Sequence, residues 1–136
     1  MIYADCGLVI EPNESELVDI TMAASQTCRA LLKSDPRVAL LSFSTKGSAN
    51  HRNIEKTVGA LKKLKELLPD LLIDGELQFD AAIDSVVGSK KAPASKVAGN
   101  ANVMIFPNLD AGNIAYKITQ RLGEAEAYGP ILQGLE

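Results

Sequence analysis

Two kinds of apolar pattern take turns along this chain: short unbroken runs, and positions that recur every three or four residues. A first run covers residues 2–10. Asn13 and Glu16 then have the spacing of a capping box, and Leu17, Ile20, Ala24, Cys28 and Leu31 define one face of a helix. Lys33 falls in its last turn and Pro36 follows. Val38-Ala39-Leu40-Leu41 lacks alternation, as a strand covered on both sides does. Ile54, Val58, Leu61, Leu64 and Leu68 predict a second helix that Pro69 stops, with Lys56, Lys62, Lys63, Lys65 and Glu66 on its solvated side. Leu71-Leu72-Ile73 reads as a strand, residues 80–87 as a short helix and 90–99 as a loop. Val103-Met104-Ile105-Phe106 is a strand closed by Pro107; Ile114, Ile118 and Leu122 mark the last helix, and 127–132 is a final apolar segment. The order is β-α-β-α-β-α-β-α-β. Short strands joined through helices predict a three-layer α/β/α domain with a mostly parallel sheet of about five strands. Ligands of such sheets collect at the carboxyl ends of the strands.

Composition narrows the function classes. At 136 residues, 46% hydrophobic and 23% charged, residues 1–136 form a single domain with enough apolar mass for one core. The net charge is −3 and there is no Trp, so neither a basic patch nor a stacking surface for nucleic acid is expected. No apolar run approaches the ~20 residues of a membrane span. The start, MIYADCGLVIEP, has no basic n-region or cleavage site of a signal peptide. Cys6 and Cys28 cannot build a disulfide framework, and a cytoplasmic location is expected.

Three strand-following loops carry the candidate chemistry. Ser42-Phe43-Ser44-Thr45-Lys46-Gly47-Ser48 puts hydroxyls, a glycine and a lysine ahead of a helix. That is the composition of an anion site at a helix N-terminus, although the Walker spacing is absent and an ordinary capped turn uses the same residues. Asp74-Gly75-Glu76-Leu77-Gln78-Phe79-Asp80 gathers carboxylates suited to a hard cation or to acid/base work, and equally to a turn with Asp80 as the next cap. Phe106-Pro107-Asn108-Leu109-Asp110-Ala111-Gly112-Asn113 offers Asn108 or Asp110 as a cap and Gly112 for close approach. Together the loops suggest one rim of a binding cleft. His51 is the only histidine, beside Arg52 on a polar face, and reads as structural. No Cys/His cluster has zinc spacing. Cys28 reads as core and Cys6 as packing.

Read in order, these loops resemble the phosphate acetyl/butyryltransferase family. The likeness rests on Ala4-Asp5-Cys6, Leu41-Ser42-Phe43-Ser44-Thr45-Lys46-Gly47-Ser48, Asp74-Gly75-Glu76-Leu77-Gln78-Phe79-Asp80-Ala81-Ala82, Lys91-Ala92-Pro93 and Val97-Ala98-Gly99. It continues through Phe106-Pro107-Asn108-Leu109-Asp110-Ala111-Gly112-Asn113, Tyr116-Lys117, Gln120-Arg121-Leu122 and Gly129-Pro130-Ile131-Leu132-Gln133-Gly134-Leu135. Gln78-Phe79-Asp80 is similar to the acetyl-specific branch; the related segment at the end of some malic enzymes usually departs from this Gln. The resemblance implies an acyltransferase that moves an acetyl group between coenzyme A and phosphate, acetyl-CoA + phosphate = CoA + acetyl phosphate, without metal or prosthetic group. It also implies an isocitrate/isopropylmalate dehydrogenase-like fold, a site between two domains, and a homodimer.

The resemblance covers only the second domain of such an enzyme. The expectation is that the preceding domain is absent, and that the family's catalytic serine and arginine lie beyond Glu136, so the catalytic residues are unknown. This chain's own contribution to binding coenzyme A, phosphate or acetyl phosphate is then Ser44, Thr45, Lys46, Gly47 and Ser48, with Asn113, Gln133 and Asp80 as further candidates. Isolated, the chain is expected to be nearly inactive. The rival expectations are a stand-alone, non-catalytic acyl-CoA-sensing or oligomerisation module, and the end of a malic enzyme.

Overall fold

In the computed structural model, which describes residues 1–133, the order is β1 (Ile2–Ala4), α1 (Glu14–Leu32), β2 (Arg37–Leu41), α2 (Arg52–Leu67), β3 (Leu72–Leu77), α3 (Phe79–Ile83), α4 (Ser85–Lys91), β4 (Val103–Ile105) and α5 (Leu109–Leu122). The described strands form one parallel sheet in the order β1-β4-β2-β3. Ile2 pairs with Val103, Val38 with both Val103 and Ile73, and the register shifts between Leu40 and Leu41.

Two apolar layers sandwich the sheet. On one side Leu17, Val18, Ala24 and Cys28 of α1 meet Ala60, Leu61 and Leu64 of α2 over Val38, Leu40, Ile73, Val103 and Ile105. On the other, Ala39, Leu41, Leu77 and Met104 pack against Ala82, Ala92, Val97, Phe106 and the small residues Ala111 and Ala115 of α5. The three-layer expectation holds.

Several local expectations do not. The described strands number four, not about five: residues 127–132 form no strand and are largely exposed. The first strand ends at Ala4, because the Asp5 carboxylate takes the N–H groups of Gly7, Leu8 and Val9 at 2.7–3.1 Å and curls the chain into a loop. β3 runs on through Asp74, Gly75 and Glu76, which the sequence reads as a turn. The single helix over 80–87 is two. Asp84 ends α3 through its N–H on the Asp80 carbonyl, then starts α4 by accepting from Val86 and Val87 at 2.8 and 3.0 Å. α4 takes in Lys90 and Lys91, which the sequence places in a loop. Leu31 and Val58 are exposed, whereas Thr21, Ser25 and Thr57 are buried. Lys33 is the left-handed cap of α1 rather than part of its last turn. The Asn13–Glu16 capping box forms as expected, at 2.8 and 3.1 Å.

Candidate functional site

The chain leaves β1, β2, β3 and β4 at one edge of the sheet, and that edge carries most of the candidate residues. β2 leads to α2 on one face and β4 leads to α5 on the other. Neighbouring strands whose connections diverge in this way open a crevice at their carboxyl ends.

On the β2–β3 side, residues 44–48 are locked to the end of β3. Lys46, at φ 49°, reaches back so that its Nζ donates to Asp74 Oδ1 at 2.8 Å and to the Gly75 carbonyl at 2.9 Å. Its own N–H binds the Glu76 carbonyl at 3.0 Å, and the Gly47 N–H binds Glu76 Oε2 at 3.3 Å. Thr45 N–H and Ala49 N–H are taken by Ser48 Oγ and Ser44 Oγ, both at 3.0 Å. The Ser44 N–H goes to Ser42 Oγ at 3.1 Å and the Ser48 N–H to the Thr45 carbonyl at 3.1 Å. Every backbone donor from Ser44 to Ala49 is therefore spent inside the chain. The expected helix-terminus arrangement fails for a second reason: α2 starts later, at Arg52, where His51 Nδ1 accepts the Asn53 N–H at 3.1 Å. The loop keeps exposed side chains at Lys46 and Ser48, while Ser44 and Thr45 are buried.

Thr45 ties this loop to the start of α3. Its Oγ1 donates to Gln78 Oε1 at 3.1 Å and accepts the Gln78 N–H at 2.9 Å. Lys91 Nζ joins Gln78 Oε1 at 3.0 Å and Asp80 Oδ2 at 3.1 Å. The structure thus brings residues 44–48 and Asp80 into one network, with Gln78 as its hub. Asp80 does not cap α3, since Gln78 holds the cap position; Asp80 sits in the first turn and accepts the Ala81 N–H at 2.8 Å. Hydrogen bonding by Lys91 holds the Asp80 carboxyl below its ordinary value. For Asp74, burial works to raise the carboxyl, but hydrogen bonds from Lys46, Ser95 and the Gly75 N–H, with the Lys46 charge, prevail and hold it low. Asp74 and Glu76, 6% and 4% exposed, are structural carboxylates inside β3. Among the described residues, no group of three or more His, Cys, Asp or Glu is placed to hold a metal ion.

Asn113 lies at the other end of the rim, where its Nδ2 donates to the Cys6 carbonyl at 3.2 Å. Gly112 permits that contact: a Cβ there would overlap the Asp5 carbonyl oxygen. Asn108 caps α5 by accepting the Ala111 N–H at 2.9 Å. Burial, helped by the Asp5 charge, pushes the Cys6 thiol up to about 11, which suits packing rather than nucleophilic chemistry. Gln133 is not brought to the rim. It borders a groove of about 320 Å³ on the outer side of α1, with Asp19, Met22 and Gln26.

Lys56 is a rim residue that the sequence pattern hides. It was expected on a solvated helix face, yet its side chain is only 20% exposed. Its Nζ donates to the Pro12 carbonyl at 3.0 Å and the Pro107 carbonyl at 2.8 Å, so α2 holds the loops after β1 and β4 together. The one available sign was its position in the first turns of a helix that follows a central strand. Ser42, Phe43, Asn53, Lys56, Pro107 and Asn108 line a crevice of about 90 Å³ between the ends of β2 and β4.

Comparison with known proteins bears on the whole chain. The profile of the phosphate acetyl/butaryl transferase family matches residues 1–136. The chain is 56% identical to a phosphate acetyltransferase of Acetivibrio thermocellus over 134 residues, 98% of this chain and 40% of that protein. It is 52% identical to a phosphate acetyltransferase of Paracoccus denitrificans, over 99% of this chain and 42% of that protein. The crystal structure of a phosphotransacetylase from Streptococcus pyogenes superposes with a TM-score of 0.93 at 49% identity, covering 96% of this chain and 40% of that one. The chain thus spans about 40% of the length of these relatives.

Proposed function

The chain belongs to the phosphate acetyl/butaryl transferase family, and from that premise we propose that it is one wall of a cytoplasmic phosphate acetyltransferase acting in acetate metabolism. The reaction is acetyl-CoA + phosphate = CoA + acetyl phosphate. The observation that carries the reading is 56% identity to a phosphate acetyltransferase along 98% of the chain. Because the named relatives are phosphate acetyltransferases, this reading is favoured over a malic-enzyme appendage or a stand-alone sensing module.

The chemistry explains why one wall does not suffice. Acyl transfer to or from coenzyme A needs a base for the thiol, a hold on the phosphate charge and donors for the developing oxyanion. In this chain His51 is engaged as a helix cap, Cys6 is held protonated, and the Lys46 and Lys91 charges are paired with Asp74 and Asp80. The proposed role of Ser44, Thr45, Lys46, Gly47, Ser48 and Asp80 is to shape the cleft, with the exposed Lys46 and Ser48 side chains touching the substrates. Asn113 serves the same rim from the β1 side. No metal or prosthetic group is needed. A homodimer fits the exposed Ile114, Ile118 and Leu122, which line up along α5 and stay uncovered among the described residues.

Replacing the matching segment of the Acetivibrio thermocellus enzyme with these 136 residues tests the reading. The chimera is expected to form acetyl phosphate within about tenfold of the parent rate, a loss of about 1.4 kcal/mol. The isolated chain should turn over hardly at all. A folded but inactive chimera, or an isolated chain working at an ordinary enzyme rate, overturns it.

A further inference from the structure

Polar groups of the kind that residues 44–49 spend internally line the crevice between the ends of β2 and β4 with donors to spare. Lys56 spends two of its three ammonium protons on the Pro12 and Pro107 carbonyls. Toward the third, among the described residues, stands only the Glu11 carboxylate, at 3.7 Å and 72% exposed, too far for a hydrogen bond. Ser42 Oγ accepts the Ser44 N–H and keeps its own proton to give. Asn108 uses Oδ1 as the α5 cap and keeps its Nδ2. The Asn53 carboxamide makes no hydrogen bond among the described residues. The lining therefore presents one cation, a hydroxyl and two amide groups, with the positive ends of α2 and α5 on either side.

From this we propose that the crevice is a subsite for a small oxyanion, a phosphate or a carboxylate group, held by Lys56, Asn53, Asn108 and Ser42. Its volume of about 90 Å³ is that of about three waters at ~30 Å³ each, enough for one such group. Glu11 is the internal competitor: its exposed carboxylate offsets the Lys56 charge, and an arriving anion takes its place. The inference goes beyond the acyl-transfer reading, because it concerns binding to this chain alone; its failure would leave the chimera result untouched.

The test is titration of the ¹⁵N-labelled chain with inorganic phosphate, and separately with acetate, at constant ionic strength. The side-chain amide signals of Asn53 and Asn108 are followed. Saturable shifts of both are expected, and the anion that produces them identifies the source. Loss of one charge-assisted donor in Lys56→Met should weaken binding about tenfold or more. Because Lys56 also holds two loops, Asn53→Ala, at an exposed helix position, provides the second variant and should weaken binding about threefold or more. Glu11→Gln should tighten it. Shifts that never saturate, or affinities unchanged in both Asn53→Ala and Glu11→Gln, overturn the proposal.

Discussion

Two buried threonines on facing helices make a matched experiment. Thr21 of α1 is fully buried and donates its hydroxyl to the Leu17 carbonyl at 2.7 Å. Thr57 of α2 is 2% exposed, and its Oγ1 has no hydrogen-bond partner among the described residues. A buried hydroxyl without a partner costs about 1–3 kcal/mol in proteins. Thr and Val have nearly the same helix propensity and shape, so Thr57→Val removes that cost while changing little else. We expect a gain of about 1 kcal/mol, or about 3–4 °C in Tm for a chain of this size. Thr21→Val instead discards a satisfied bond and should lose about 0.5–1 kcal/mol. Urea unfolding followed by circular dichroism gives both values, with equal m-values confirming that the unfolded reference is shared. If Thr57→Val lowers the midpoint as Thr21→Val does, the Thr57 hydroxyl has a partner and the reasoning is wrong.

Three further outcomes follow from contacts described above. Asp74 is held below its ordinary value, so its contribution is present above the unfolded value of about 3.9 and is lost as pH falls through the lower folded one. Asp74→Asn should flatten that acid limb of a stability–pH profile, and an unchanged limb would refute the assignment. Gly112→Ala gains helix propensity but drives a methyl into the Asp5 carbonyl, for a net loss of about 1–2 kcal/mol in urea midpoints; a more stable variant would show that α5 can shift freely. For the proposed dimer, sedimentation of the wild-type chain should give twice the monomer mass, and Ile118→Asp, at a residue 53% exposed, should give the monomer with unchanged helix content; a wild-type chain that is monomeric at high micromolar concentration removes the dimer.

What was legible in the sequence was local. Asn13 with Glu16, the unbroken run at Val38 and the helical spacing of α1 and α2 each declare themselves within a few residues, and the structure keeps them except at Leu31 and Val58, which are exposed. Of the two caps the sequence offered for α5, Asn108 and Asp110, the structure uses Asn108. The failures needed distant partners. Asp74 and Glu76 read as turn residues because nothing nearby says that Lys46 and Gly47 will meet them inside the sheet. Lys56 read as solvated because the carbonyls it holds belong to residues 12 and 107. Periodicity located α5, yet its Ile114, Ile118 and Leu122 point outward while Ala111 and Ala115 pack inward. A pattern reports that a helix has an apolar stripe, not which neighbour covers it. The candidate site fared likewise. Residue types in 44–48 suggested an anion cradle, but Glu76, Ser42, Ser44, Thr45 and Ser48 take every backbone donor from Ser44 to Ala49, which no residue spacing announces.

The strand order has a consequence for how the chain is made. β4, the last described strand to leave the ribosome, lies between β1 and β2, so neither of these can complete its pairing on that side until Val103-Met104-Ile105 has emerged. Translation at ~5–20 residues per second leaves β2, already paired with β3, showing a bare edge for about 1–5 seconds. Nascent chains arrested before residue 103 should therefore be the ones that recruit chaperones, and their release should coincide with the moment the central gap is filled.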